Sequence, residues 1–380
     1  MLMEVGRVSV FFLVFLLGFI SQIRHIHRHS HGSICLPEKH AALFVFGDSL
    51  FQAGNNNYIN ATPFLLANYP PYGETFFKYP SGRFSDGRVI PDFIAEYANL
   101  PLIPTYLHPG YSQLCVHGIN FASGGSGALV ETRRGPVVDL KSQLNNFETV
   151  KKQLEKKLGH KEAKELVSKS VYIFSVGGND YATPFLTNSS IPYPQEEFVD
   201  IVIGNITTVL KEIYKLGGRK FGFANVAPLN CFPILRMLGN ASLDSCQNEP
   251  VSALAKLHNN AFTNALEKLE KELKGFKYAV FDFHNELIKV MKYPSKYGFK
   301  EGEVACCGGG PYRGDYSCGG KRGIKEYELC ENVNEHVFFD SIHPTDRASK
   351  HFAELFWSRN KYITKPYNLK ALFGIEIKAV

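Results

Sequence analysis

The sequence predicts an α/β protein: a doubly wound domain with a central, mostly parallel sheet. Five apolar runs and the helix-like tracts between them carry that expectation. The runs are "AALFVF" at 41–46, "GINFA" at 118–122, "VYIFSV" at 171–176, "FGFANV" at 221–226 and "YAVFDF" at 278–283. Each is continuously apolar rather than alternating, as expected of a strand covered by helices on both faces. Two longer tracts have helical spacing instead. Residues 139–158 place Leu140, Leu144, Phe147, Leu154 and Leu158 on one face. Residues 251–274 do the same with Leu254, Leu257, Phe262, Leu266, Leu269 and Leu273. The alternating Lys and Glu within 151–167 and 268–274 read as solvated helix faces. Strands alternating with helices along one chain argue for an α/β architecture.

In chain order, the first segment is an address. "MLMEVGRVSVFFLVFLLGFISQ" holds Arg7, then an apolar run from Val8 to Ile20, with Arg24 and Arg28 beyond it. The run is shorter than a membrane span. A secretory signal peptide with a short leader is therefore expected over residues 1–34, with a retained membrane anchor as the alternative. "IRHIHRHSHGS" lacks a clean small-x-small cleavage site, and its histidines need no catalytic role. Residues 35–380 are then expected to form one domain. The Pro- and Gly-rich stretches at 69–87 and 101–112 read as long surface connections that shape a cleft, and 302–325 reads as a loop.

Composition agrees with a secreted globular protein and argues against other classes. With 44% hydrophobic residues among 380, the chain can bury a large core and is not globally disordered. Its net charge of +6 is spread rather than blocked, which argues against nucleic-acid binding and leaves room for peripheral contact with a membrane or cell wall. All eight cysteines lie beyond the apolar leader. Cys231 with Cys246 can close one local loop, and Cys306, Cys307, Cys318 and Cys330 can brace another region, as yet without a defined pairing. A metal reading of "CCGGG" fails on spacing, since no paired C-x-x-C knuckles accompany it. Sequons begin at Asn60, Asn188, Asn205 and Asn240, each a potential glycan site.

The chemistry sits at strand ends. In "FVFGDSLFQAG", Ser49 follows the first apolar run in a glycine-flanked turn, where open α/β sheets place ligands. The motif is not the "GxSxG" elbow. A serine hydroxyl needs a base, and "FFDSIHPT" offers Asp340 and His343 three residues apart in a tight turn before a C-terminal helix. "INFASGGSG" at 119–127 supplies glycine amides able to approach an oxyanion. "SVGGND" at 175–180 supplies the side-chain amide of Asn179 after another strand. A nucleophile, a glycine donor, an asparagine donor and an acid–histidine pair thus occur in order. Asp48 reads as a brace of the glycine turn. Arg83 and Asp86 in "SGRFSDGR" read as a surface turn, with a site-lining loop as the alternative. Phe76, Phe77 and Tyr79 read as core packing or an acyl-facing wall.

This ordered set resembles the plant GDSL-type esterases/lipases of the SGNH hydrolase family, with four blocks matching across 44–346 and "GNNNYI" and "YPSGRFSDGRVIPDFIAE" resembling the plant branch. The resemblance implies a three-layer α/β/α, flavodoxin-like fold and hydrolysis of carboxylic esters. It implies Ser49 as nucleophile, His343 as base and Asp340 as orienting acid. The oxyanion hole would comprise the amides of Ser49 and Gly125 and the side chain of Asn179, with Gly124 one residue away as the alternative glycine. It implies no metal or organic cofactor. One departure stands out: relatives commonly read "GDSxxDxGNN", whereas this chain has Gln52 at the acidic position. Glutamine bonds without carrying charge, so altered site preorganisation or substrate preference is expected. An ester or lipid substrate is expected. Acyl transfer to an alcohol acceptor is the alternative reaction, and a non-catalytic secreted binding protein the alternative class. Oligomeric state is not encoded in any motif.

Overall fold

The computed structural model describes residues 41–111, 115–133, 135–358 and 362–376. The expected leader at 1–34, its histidines and Cys35 lie outside the described residues. No helix among the described residues is long and apolar enough to cross a membrane.

In chain order the elements are β1 (Leu43–Gly47), α1 (Ile90–Tyr97), α2 (Leu140–Leu158), α3 (His160–Lys169), β2 (Val171–Ser175), α4 (Gly178–Leu186) and α5 (Gln195–Lys215). There follow β3 (Lys220–Ala224), α6 (Pro233–Gly239), α7 (Pro250–Glu272), β4 (Lys277–Phe281), α8 (Phe283–Lys292), β5 (Cys307–Gly308) and β6 (Glu328–Leu329). The chain closes with α9 (Asp346–Ser358), β7 (Thr364–Pro366) and α10 (Leu369–Gly374). The main sheet runs β1-β2-β3-β4-β7, parallel through β4 and antiparallel at β7. Short strands β5 and β6 pair separately.

The apolar run at 118–122 does not become a full strand. It bridges β1 through Val45 and Asn120, and backbone bonds join Val45 to Ile119 and Phe121 on the free side of β1. Counting that segment, the order across the sheet is the flavodoxin-like one, and the winding direction reverses between β1 and β2. Ligands of open α/β sheets bind at such a reversal.

The two sheet faces differ because successive side chains alternate. On one face, Phe44, Tyr172 and Phe221 form one row of stacked rings, and Phe46, Phe174 and Phe223 a second. Phe147 of α2 and Phe262 of α7 pack edge-on against these rows. On the other face, Val45, Ile173, Gly222 and Ala279 lie in register. A Cβ on Gly222 would meet Leu369 of α10 at 2.6 Å, so that glycine lets the helix seat on the sheet. Helices α2, α5 and α7 pack together on the aromatic side, and α1, α9 and α10 on the other. The result is a three-layer α/β/α fold.

Helix ends follow local chemistry. The Asp139 side chain accepts the Ser142 amide at 2.9 Å and caps α2. Helix α7 has Pro250 in its first turn and buries Leu254, Phe262, Leu266 and Leu269, as the spacing predicts. The segment 302–325 is more ordered than a loop reading implies. Disulfides Cys306–Cys330 and Cys307–Cys318 nest there, and Cys231–Cys246 closes the loop ahead of α7.

Candidate active site

Four loops meet at the carboxyl ends of the strands. Gly47 ends β1 at φ +122, where an added Cβ would fall 1.9 Å from the Ser175 carbonyl of β2. Only glycine permits that approach. The chain then turns, with the Phe51 and Gln52 amides donating to the Asp48 carbonyl, and Ser49 stands half-buried on the turn. Asp48 braces it as expected. Its carboxylate accepts the Leu50 amide at 3.1 Å and the Ser175 hydroxyl at 3.0 Å. Burial pushes the Asp48 carboxyl up to about 7.

Before α9, the Phe339 amide donates to the His343 carbonyl at 2.7 Å and closes the tight turn. His343 Nε2 lies 2.8 Å from Ser49 Oγ, and its Nδ1 lies 2.8 Å and 3.0 Å from the two Asp340 oxygens. Asp340 is fully buried, and Oδ1 also accepts the backbone amides of Ile342 and His343. Burial alone would raise its pKa. The charge and hydrogen bond of His343, the Arg322 charge and the Tyr72 hydroxyl outweigh burial and bring it down to about 2. Phe84 stacks on the imidazole with centroids 4.6 Å apart, leaving the ring little room to rotate.

The glycine loop clarifies which amide is available. Gly124 donates its amide to Gln52 Oε1 at 2.9 Å and to Asn56 Oδ1 at 3.2 Å, so it is already engaged. Among the described residues, the Gly125 amide has no intramolecular partner. Gly125 adopts φ +85, and a Cβ there would lie 2.6 Å from Leu65. Asn179, in the first turn of α4, spends one amide proton on the Ser126 carbonyl at 2.9 Å. The other proton remains available.

Beside Ser49 opens an apolar cavity between the strand ends and α4, α6 and α8. Val176, Ala182, Leu186, Leu229, Phe232 and Leu235 line it, with Ser49, Asn179 and His343 at its polar end. Such an arrangement can bury a hydrocarbon chain while presenting a carbonyl to a serine.

Residues 43–356 match the family described as GDSL-like Lipase/Acylhydrolase. The chain belongs to that family. It is 53% identical to GDSL esterase/lipase 5 of Arabidopsis thaliana over 338 residues, 88% of each chain. It is 51% identical to GDSL esterase/lipase 2 of the same plant over 378 residues, covering 98% of this chain and 100% of the relative. It is 52% identical to GDSL lipase of Tanacetum cinerariifolium over 340 residues, covering 89% of this chain and 90% of that one. As a member of the family, the chain is a serine hydrolase of esters by class.

Several readings made from the sequence need correction. Arg83 and Asp86 are not a surface turn: both are buried, and they do not pair with each other. Arg83 binds Asp92 through two bonds of 2.8 Å, while Asp86 accepts the Thr75 hydroxyl and the Asp346 amide. Phe76 and Tyr79 form neither core nor acyl wall; they are exposed, and Phe76 lies under Arg88. The supporting polar residues of this GDSL hydrolase escaped sequence reasoning. Gln143 of α2 reaches both backbone groups of Gly47 and the Ser126 hydroxyl. Asn55 and Asn56 pin the 120–124 backbone. "GNNN" was the available signal, since such side chains can replace backbone partners in a loop.

Proposed function

We propose that Ser49, His343 and Asp340 cleave carboxylic esters of lipophilic acyl groups, with the amides of Ser49 and Gly125 and the side chain of Asn179 as oxyanion donors. The continuous hydrogen-bonded path from Ser49 through His343 to Asp340, opening on an apolar cavity, is the observation that carries this reading.

In that mechanism His343 Nε2 takes the Ser49 proton as Oγ attacks the ester carbonyl. The Asp340 carboxylate holds the imidazole through Nδ1 and stabilises the imidazolium as it forms. The carbonyl oxygen becomes negative beside the three donors, which are oriented before reaction and need little reorganisation. His343 then passes its proton to the departing alcohol, leaving an acyl group on Ser49. Water enters, gives a proton to His343 as its oxygen attacks the acyl carbonyl, and His343 returns that proton to Ser49 Oγ as the acid leaves. An alcohol taking that water's place would produce acyl transfer instead, and the cavity binds the acyl chain equally in both outcomes.

The protein works outside the cell in this reading, as one domain following a cleaved leader. Three disulfides and the exposure of Asn60, Asn188, Asn205 and Asn240 support an oxidising, glycosylating route.

The test is acid release from a panel of p-nitrophenyl esters of increasing chain length, with wild type and Ser49→Ala, with and without an added alcohol. Ser49→Ala is expected to lose at least about 10³-fold in kcat. Turnover that survives the substitution contradicts the assignment, and new ester formed from the alcohol reassigns the reaction to transfer.

A further inference from the structure

Behind Asp340 lies a second, smaller core built from Tyr69, Tyr72, Phe84, Phe339 and the disulfide cysteines Cys306, Cys307 and Cys318. A cation is buried in it. Arg322 is only 3% exposed, yet among the described residues none of its hydrogen bonds goes to a carboxylate. It donates to the Pro63 carbonyl at 3.3 Å, the Leu66 carbonyl at 2.7 Å and the Tyr72 hydroxyl at 2.8 Å. Its guanidinium carbon sits 3.8 Å over the Tyr316 ring and 5.3 Å from that of Tyr72. By contrast, the buried cations Arg83 and Arg236 each have an acid, Asp92 and Glu303. Burying a guanidinium without a direct counterion is costly, which raises the question of what negative charge it serves.

The hydrogen bonds answer it. Arginine can only donate, so the Tyr72 oxygen accepts from Arg322 and its own proton is left for another acceptor. That acceptor is Asp340 Oδ2, 2.6 Å away. Among the described residues it is the one side-chain bond to Asp340 that originates outside the Asp340–His343 turn. The polarity of the chain is thereby fixed, from Arg322 through Tyr72 to Asp340 to His343. A proton on Asp340 Oδ2 would face the Tyr72 proton, so the arrangement favours the carboxylate.

We propose that Tyr72 and Arg322 are positioning residues for ester cleavage: Arg322 polarises Tyr72, and Tyr72 holds Asp340 ionised and aimed at His343. This rests on the reading of Ser49, His343 and Asp340 as the reacting set. The disulfide-stapled segment gains a purpose through it. Arg322 follows Cys318 by four residues, and the Cys306 and Cys307 amides bond to the Phe338 and Phe339 carbonyls beside Asp340. Both ends of the relay are thus tied to one cross-linked frame. The other titratable neighbours are Tyr69 and Tyr316 beside Arg322, Arg133 reaching Tyr316, and Asp48 across the pocket from His343.

The test uses the full secreted chain with Tyr72→Phe, Arg322→Gln and Arg322→Lys, and Ser49→Ala alongside. Active sites are first counted by titration with a fluorophosphonate. Then kcat and KM are measured on a soluble short-chain ester. Tyr72→Phe is expected to lower kcat per titrated site about 10- to 100-fold with KM nearly unchanged, the scale of one hydrogen bond to a charged group. Arg322→Gln removes the charge that polarises Tyr72 and is expected to lower kcat per titrated site on the same scale, again with KM nearly unchanged. Arg322→Lys keeps the charge and is expected to recover part of the kcat lost in Arg322→Gln. A loss confined to the number of titratable sites, with kcat per site unchanged, overturns the proposal in favour of a purely structural brace. Tyr72→Phe deletes one oxygen and keeps the ring packing, so it decides the matter even where an Arg322 variant fails to fold. Turnover by Ser49→Ala would instead mark failure of the underlying site assignment.

Discussion

Gln52 and Gly124 are joined across the site. The Gln52 Oε1 accepts the Gly124 amide at 2.9 Å, while its Nε2 donates to the Gly82 carbonyl at 3.0 Å. The side chain is completely buried. A neutral amide that both donates and accepts therefore ties the glycine loop to the 82–84 turn. Fully buried, Gln52 acts on preorganisation of the loop rather than by contact with substrate.

Gln52→Glu keeps the acceptor and retains a donor only while protonated, and it places a carboxyl where burial raises its pKa. The penalty is small while that carboxyl is protonated and grows as pH rises through its titration. Thermal melts are expected to match wild type near pH 5 and to fall progressively behind it toward pH 8, by about 2–4 kcal/mol in all. A difference independent of pH contradicts this account.

Asp48 and Asp340 should shape acid stability in opposite directions. Asp48 is raised from 3.8 to about 7, so the folded state holds a proton that the unfolded chain releases. Its contribution is fully present below 3.8 and is lost as pH rises through about 7. Asp48→Asn should remove that decline, leaving the variant more stable than wild type at pH 8 and without the advantage at pH 4. Asp340, lowered to about 2, contributes stability above 3.8 that disappears as pH falls through about 2. Urea unfolding across pH 2 to 8 reads both; equal slopes for wild type and Asp48→Asn between pH 4 and 7 would falsify the Asp48 assignment.

Arg83 and Asp92 form a buried bidentate pair that also caps α1, since Asp92 Oδ2 accepts the Val89 amide at 2.9 Å. Arg83→Ala strands a buried carboxylate and should destabilise by about 3–5 kcal/mol. Adding Asp92→Ala should recover part of that loss, a coupling read by a double-mutant cycle in urea. Simple additivity would mean the pair does not interact.

Chain-length preference should follow the cavity. Ala182 of α4 lines it and is buried, so Ala182→Phe narrows the space for an acyl tail while leaving Ser49 in place. Octanoyl ester turnover is expected to fall at least about 10-fold in kcat/KM relative to acetyl ester. Equal losses on both esters would place the acyl group elsewhere.

Much of this was legible because it is local. Continuous apolar runs marked β1 to β4, and helical spacing marked α2 and α7 within a residue or two. Asp340 and His343 bond within one turn, so three residues of spacing sufficed. What escaped depends on distant partners. Gln143 reaches Gly47 across 96 residues, and Arg322 reaches Tyr72 across 250. Polar residues in loops carry no periodicity that would reveal such contacts. Strand β7 was also missed: it has three residues, including Pro366, and a proline argues against a central strand. It pairs only at the sheet edge, where proline is tolerated. The segment at 118–122 reads as a strand by composition, yet Asn120 spends its side chain on Phe51 and Ala122, and only one bridge to β1 forms.

The most direct measurement is peptide mapping of the enzyme after reaction with a fluorophosphonate and, separately, after rapid acid quench during ester turnover. The account predicts one adduct per chain, on the peptide carrying Ser49 in both cases, absent in Ser49→Ala and strongly slowed in His343→Ala. Ester turnover with no acyl group on Ser49, or an adduct on another residue, would contradict it.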